Sequence, residues 1–143
     1  MVLPTFFIVK CWVMKPEPCL ILVGMMGSGK SMVGNVLATK LERPFQDTDQ
    51  LVSQRLCQPI SQFFKRYGEA AFREHETNVL KDLQPDGSVL ATGGGIVTRE
   101  ENWHELQRLG TTVFLDVKPD ILISRLTVSP KKRPLLELSL IHI

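Results

Sequence analysis

Short apolar runs alternate along the chain with longer segments whose apolar residues recur every three to four positions. Cys19-Leu20-Ile21-Leu22-Val23 is an unbroken apolar run, the composition of a strand buried on both faces. From Met32 to Leu41, apolar residues fall at Val33, Val36, Leu37 and Leu41, one face of a helix that begins near Lys30. A second short strand is expected over 43–49, ending in Asp47 and Asp49, with a helix over 50–55. Pro59 opens a short helix that Gly68 ends, and Glu69 opens a longer one running towards Asp82. After a turn at Pro85-Asp86-Gly87 comes a third buried strand over 88–92. Glu100 to Leu109 forms a helix closed by Gly110, 111–116 forms a fourth strand, and Pro119 and Asp120 begin a helix through Ile121, Leu122 and Leu126. Strands alternating with helices predict an α/β domain: a parallel sheet, helices on both faces, and a ligand site beyond the carboxyl ends of the strands.

Composition narrows this picture without redirecting it. At 143 residues the chain is one domain, long enough to bury roughly two thirds of its unfolded surface. A net charge of +2 with 22% charged residues carries no signature of nucleic acid or a membrane as partner. The basic residues are dispersed, apart from Lys131-Lys132-Arg133. Cys11, Cys19 and Cys57 are odd in number and lack metal-ligand spacing, as expected of reduced thiols in a cytoplasmic protein. Residues 1–13 are apolar but lack the leading positive charge and small-residue cleavage site of a signal peptide, and are too short to span a bilayer. Met14 is the expected start, with 1–13 a spurious or disordered extension; the alternative is a tail that packs on the domain.

The chemistry centres on Gly24-Met25-Met26-Gly27-Ser28-Gly29-Lys30-Ser31, which fits G-x-x-x-x-G-K-[ST] between a strand and a helix. Glycines let successive N–H groups turn inward around a phosphate, and the helix N-terminus adds its positive end. Lys30 is placed to reach the β- and γ-phosphates, and Ser31 to ligate Mg²⁺. Asp47 and Asp49, at i and i+2, project to one side if the strand continues. They then serve the metal and a substrate hydroxyl; alternatively Asp49 caps the next helix. Arg73 and Glu76 share a helix face, either as a surface ion pair or with Glu76 orienting Arg73 to grip a carboxylate. His75 reads as a solvated helix residue. Gly93-Gly94-Gly95, at a strand's end, either admit a ligand close to the backbone or make a flexible turn. Arg133 lies either in a lid that closes over phosphates or in an exposed basic loop.

Together these residues resemble the shikimate kinase family: G-M-M-G-S-G-K-S at 24–31, D-T-D at 47–49, F-R-x-x-E at 72–76, G-G-G at 93–95 and R-P-L-L at 133–136. The resemblance implies a P-loop kinase fold like that of nucleoside monophosphate kinases, with strand order 2-3-1-4-5, and ATP-dependent phosphorylation of the 3-hydroxyl of shikimate by a monomer. It implies that Gly24 to Met32 (Met25, Met26, Gly27, Ser28 and Gly29 included) hold ATP, with Arg133 on its phosphates from a lid. Ser31 and Asp47 then hold Mg²⁺. Asp49 takes the shikimate hydroxyls and the transferred proton, Arg73 backed by Glu76 takes the carboxylate, Gly93 to Gly95 present N–H groups, and Phe64 and Phe72 wall the ring. Alternatives are a gluconate-type kinase of the same fold and a non-catalytic relative. Family members continue past the lid with a helix, a fifth strand and a last helix. Here Leu138-Ser139-Leu140-Ile141-His142-Ile143 reads as the translation of a transposon-end sequencing adapter. The domain is therefore expected over 14–137, lacking its final strand and helix, with 138–143 a non-native tail and the chain poorly active; the alternative is a short natural tail.

Overall fold

In a computed structural model, residues 16–128 are described. Strands β1 (Cys19–Val23), β2 (Phe45–Asp47), β3 (Val89–Ala91) and β4 (Gly110–Phe114) form a four-stranded parallel sheet in the order β2-β3-β1-β4. The helices are α1 (Lys30–Leu41), α2 (Thr48–Leu56), α3 (Ile60–Asp82), α4 (Glu100–Leu109) and α5 (Pro119–Val128), with a 3-10 turn at Ile96–Thr98 that the periodicity does not announce. The sheet is covered on both faces because β1 alternates its apolar side chains between them. Ile21 and Val23 pack in one cluster with Leu80 of α3 and Leu106 and Leu109 of α4. Leu22 packs in the other with Ala38 of α1 and Val89, against Leu20, Val33 and Phe45. The central strand is thus apolar on both sides, as the run at 19–23 predicts.

Four local expectations need correction. The buried stripe of α1 is Lys30-Gly34-Ala38, whereas Val36 and Leu41 are exposed and Val33 and Leu37 half-buried. Small residues face the sheet because the helix lies so close: a Cβ on Gly34 would sit 2.6 Å from the Phe45 ring. The second strand stops at Asp47, where α2 begins, so Asp47 and Asp49 do not share a strand face; Asp47 is the cap, its Oδ1 accepting from the Asp49 N–H at 2.9 Å. Gly110 follows α4 in extended rather than left-handed backbone. Its glycine is required because a Cβ there would collide with the Cys19 main chain in the neighbouring strand. His75 is half-buried, its ring edge-on to Phe63 at 5.2 Å and its Nδ1 without a partner, rather than solvated.

The expected break at Gly68 is present: its φ of 81° and ψ of 179° interrupt the helical backbone and divide α3 into a short and a long helix. The kink lets Phe64, before it, meet Phe72, after it, with ring centroids 5.1 Å apart. Among the described residues β4 is an outer strand, and Phe114 on it is 60% exposed.

Candidate active site

The carboxyl ends of β1, β2 and β3 open onto a single cleft of about 890 Å³. Its floor is the glycine loop between β1 and α1. Gly29, in the left-handed region at φ 90°, starts α1, and its carbonyl accepts from the Val33 N–H at 2.9 Å. Lys30 is buried and folded back over the loop: its Nζ donates to the carbonyls of Gly24 at 2.7 Å and Met25 at 2.9 Å, and lies 3.4 Å from Ser28 Oγ. Those two carbonyls point at a cation, so the ammonium is prepositioned at the mouth of the loop. The Ser31 hydroxyl donates to Asp47 Oδ2 at 2.7 Å. One carboxylate thereby caps α2 with one oxygen and holds Ser31 with the other, and the cap expected of Asp49 is supplied by Asp47.

The opposite wall is built on α3. Arg73 and Glu76 form a buried ion pair, Nη1 to Oε2 at 2.5 Å, with side chains 10% and 1% exposed. It is not a surface pair. Glu69, one turn earlier, closes on the other side of the guanidinium, its Oε1 3.0 Å from Nη2 and 3.3 Å from Nε. Burial lowers the guanidinium's pKa, but the hydrogen bonds and charges of Glu76 and Glu69 outweigh it and hold the group above its ordinary value. Burial pushes the Glu76 carboxyl above the ordinary glutamate value, against the pull of Arg73, and the charges of Asp49 and Glu69 add to the rise. Arg99, which sequence reasoning passed over, donates to the Arg73 carbonyl at 3.3 Å and to Thr77 Oγ1 at 3.0 Å, tying the segment after the glycines to α3.

The three glycines are a matter of close approach. A Cβ on Gly95 would land on the Arg73 guanidinium, and one on Gly93 would lie 2.7 Å from both Asp49 Oδ1 and Glu76 Oε1. Gly94 runs beside the phosphate loop, its added Cβ 3.3 Å from the Met26 nitrogen. The expectation that all three present N–H groups needs one correction: the Gly93 N–H already donates to Thr48 Oγ1 at 2.9 Å.

The cleft is lined by Met26, Gly27, Gly29, Lys30, Ser31 and Met32 on the loop side, and by Asp47, Asp49, Phe64, Phe72, Arg73, Glu76 and the three glycines. Gly24, Met25 and Ser28 do not line it; they support it through the carbonyls and the hydroxyl that Lys30 engages. Arg133 lies outside the described residues. Arg125 of α5, not singled out in the sequence, lines the cleft and donates to the Gly27 carbonyl at 3.2 Å. Its only signal was a basic residue on the helix after β4. Among the described residues no three His, Cys, Asp or Glu side chains gather as a metal cage, and no helix is long and apolar enough to cross a membrane.

Fold and site define the P-loop kinase fold: a parallel sheet whose first strand feeds a phosphate loop, with a second polar wall facing it across the cleft. A family model described as shikimate kinase matches residues 26–139. A shikimate kinase of Synechococcus sp. (strain JA-3-3Ab) is 51% identical over 117 residues, 81% of this chain and 61% of that protein. One from Prochlorococcus marinus (strain MIT 9211) is 48% identical over 122 residues, 85% of this chain and again 61% of its partner in the comparison. The solved structure of a shikimate kinase from Acinetobacter baumannii in complex with shikimate superposes with a TM-score of 0.78 at 39% identity, covering 85% of this chain and 68% of that one. The chain belongs to the shikimate kinase family. It spans about three fifths of the length of the curated relatives just named.

Proposed function

We propose that this protein transfers the γ-phosphoryl group of ATP to the 3-hydroxyl of shikimate, giving shikimate 3-phosphate and ADP. The observation that carries the reading is Arg73: a guanidinium pinned between two carboxylates, laid over Gly95, facing a phosphate loop across one cleft. An anionic group at Arg73 and a triphosphate at Lys30 fit the two ends of a compact cyclic carboxylate and its phosphoryl donor.

In this reading Lys30 exchanges the Gly24 and Met25 carbonyls for phosphate oxygens, and the backbone of Gly27 and Gly29 approaches the phosphates closely. Ser31 Oγ and Asp47 Oδ2, converging at 2.7 Å, fit a hard cation that takes few protein oxygens and completes its shell with phosphates and water. Mg²⁺ held there with ATP would neutralise the charge of the phosphates. Asp49, in the first turn of α2 and close to Glu76, accepts the proton as the acceptor hydroxyl oxygen bonds to phosphorus and the bond to ADP breaks. Phe64 and Phe72 pack the apolar face of the ring.

Two expected results follow from the Arg73 wall. Gly95→Ala pushes the guanidinium off its seat, so shikimate affinity falls about tenfold or more, equivalent to roughly 1.4 kcal/mol, with nucleotide binding unchanged; titration calorimetry of each ligand checks it. The second concerns pH. Because the folded Glu76 carboxyl is raised, its contribution to stability is full below the ordinary glutamate value of about 4.3 and is lost as pH rises through the raised value. Acidification through that window therefore does not unfold the protein through Glu76. It does neutralise the carboxylate that orients Arg73, so shikimate affinity drops on an acid limb beginning above about pH 4.3, and Glu76→Gln moves the onset of that limb to lower pH, where the ligand's own carboxylate protonates.

A coupled ADP-release assay with shikimate and with gluconate tests the reading. Shikimate-dependent release is expected. Release with gluconate alone would move the protein to the gluconate-type alternative, and nucleotide binding with neither acceptor turned over would return the non-catalytic one.

A further inference from the structure

Arg73 carries five N–H donors, and the structure uses three of them. Nε and one N–H of Nη2 go to Glu69, and one N–H of Nη1 goes to Glu76. Among the described residues, that leaves one donor on each terminal nitrogen. Glu76 is buried and lines the cleft; Glu69 is 54% exposed and does not. Glu69 therefore approaches the guanidinium from outside, along the Nε edge, and occupies none of the space an acceptor would fill. Its own position follows from Gly68, whose non-helical backbone starts the second half of α3 at Glu69.

We infer that Glu69 is a positioning residue for the acceptor's carboxylate: by taking the Nε edge it fixes the rotation of the guanidinium, so that the two remaining terminal donors stay available at the cleft. Without it, Arg73 is held through Nη1 alone and swings about that contact. The charge of Glu69 is not what the role needs; an acceptor atom at that place is. An exposed i,i+4 pair adds little to stability, so a purely structural role has little to explain. This inference rests on the reading that an acceptor carboxylate binds Arg73.

The test compares Glu69→Ala with Glu69→Gln, which keeps an acceptor atom and loses the charge. In the ligand-free protein, the ¹⁵N–¹H signal of Arg73 Nε should be sharp and slow to exchange in the parent chain and Glu69→Gln, and broadened in Glu69→Ala. Shikimate titrated by calorimetry should bind Glu69→Ala about five to tenfold more weakly, the loss expected of about one positioned hydrogen bond, and Glu69→Gln within about twofold of the parent. Equal or tighter binding by Glu69→Ala overturns the inference and makes Glu69 a bystander or a competitor. So does an unchanged Nε signal. If shikimate binds none of the three proteins, the acceptor assignment falls by itself, and the Nε signal alone still decides whether Glu69 holds the guanidinium.

Discussion

For the proposed reaction, replacing Lys30 with alanine should lower the rate of phosphoryl transfer by about a hundredfold to a thousandfold, the usual cost of removing one preorganised donor from a developing negative charge. The lysine is 8% exposed and its ammonium already sits on two loop carbonyls. No side chain has to be recruited or dehydrated when phosphate arrives; one set of oxygens replaces another. Arg125, on the Gly27 carbonyl from an exposed helix, has no comparable seat and cannot substitute. Steady-state kinetics with saturating ATP measure the effect, and a loss of less than tenfold would contradict it. The ligand-free fold should change by only about 1 kcal/mol, because two loop carbonyls lose a partner at the cleft mouth where water can replace it.

The second large effect is on stability. Glu76→Ala should destabilise the folded chain by about 3 kcal/mol, read as a fall in the urea midpoint at constant slope. The carboxylate is 1% exposed and paired to a guanidinium that is itself nearly buried. Removing it leaves that cation with Glu69 alone, on the solvent side. Losses from breaking a buried pair run to about 3–5 kcal/mol, and the surviving Glu69 contact places this one at the lower end. Glu69→Ala, by contrast, should shift stability by under about 1 kcal/mol, because the Glu69 side chain is half in water. The contrast between two glutamates on one arginine separates burial from mere proximity.

Much of this was legible in the residues, for identifiable reasons. The loop at 24–31 could be read because its glycines, lysine and serine each answer one demand of a phosphate. The sheet could be read because its central strand is apolar at every position. Helix α1 misled because its buried seam is Lys30, Gly34 and Ala38, small or charged residues that apolar spacing does not pick out, while Val36 and Leu41 face outward. Asp49 was placed on the strand because a strand ending and a helix beginning at adjacent residues look like continued alternation. The glycines at 93–95 signalled close approach, but not to what. Only the fold shows that Gly95 underlies Arg73 and that Gly93 clears Asp49 and Glu76. Arg99 and Arg125 carry no local motif, and tertiary geometry alone brings them to the site, whereas Glu69 reaches Arg73 by i,i+4 helix spacing.

The central claim is that this cleft holds a cyclic carboxylate between Arg73 and the phosphate loop. Titration calorimetry of the chain with shikimate, and separately with gluconate, in the presence of a non-hydrolysable ATP analogue and Mg²⁺ tests it most directly. Saturable, stoichiometric binding of shikimate is expected, and none of gluconate. Binding of gluconate without shikimate would contradict it.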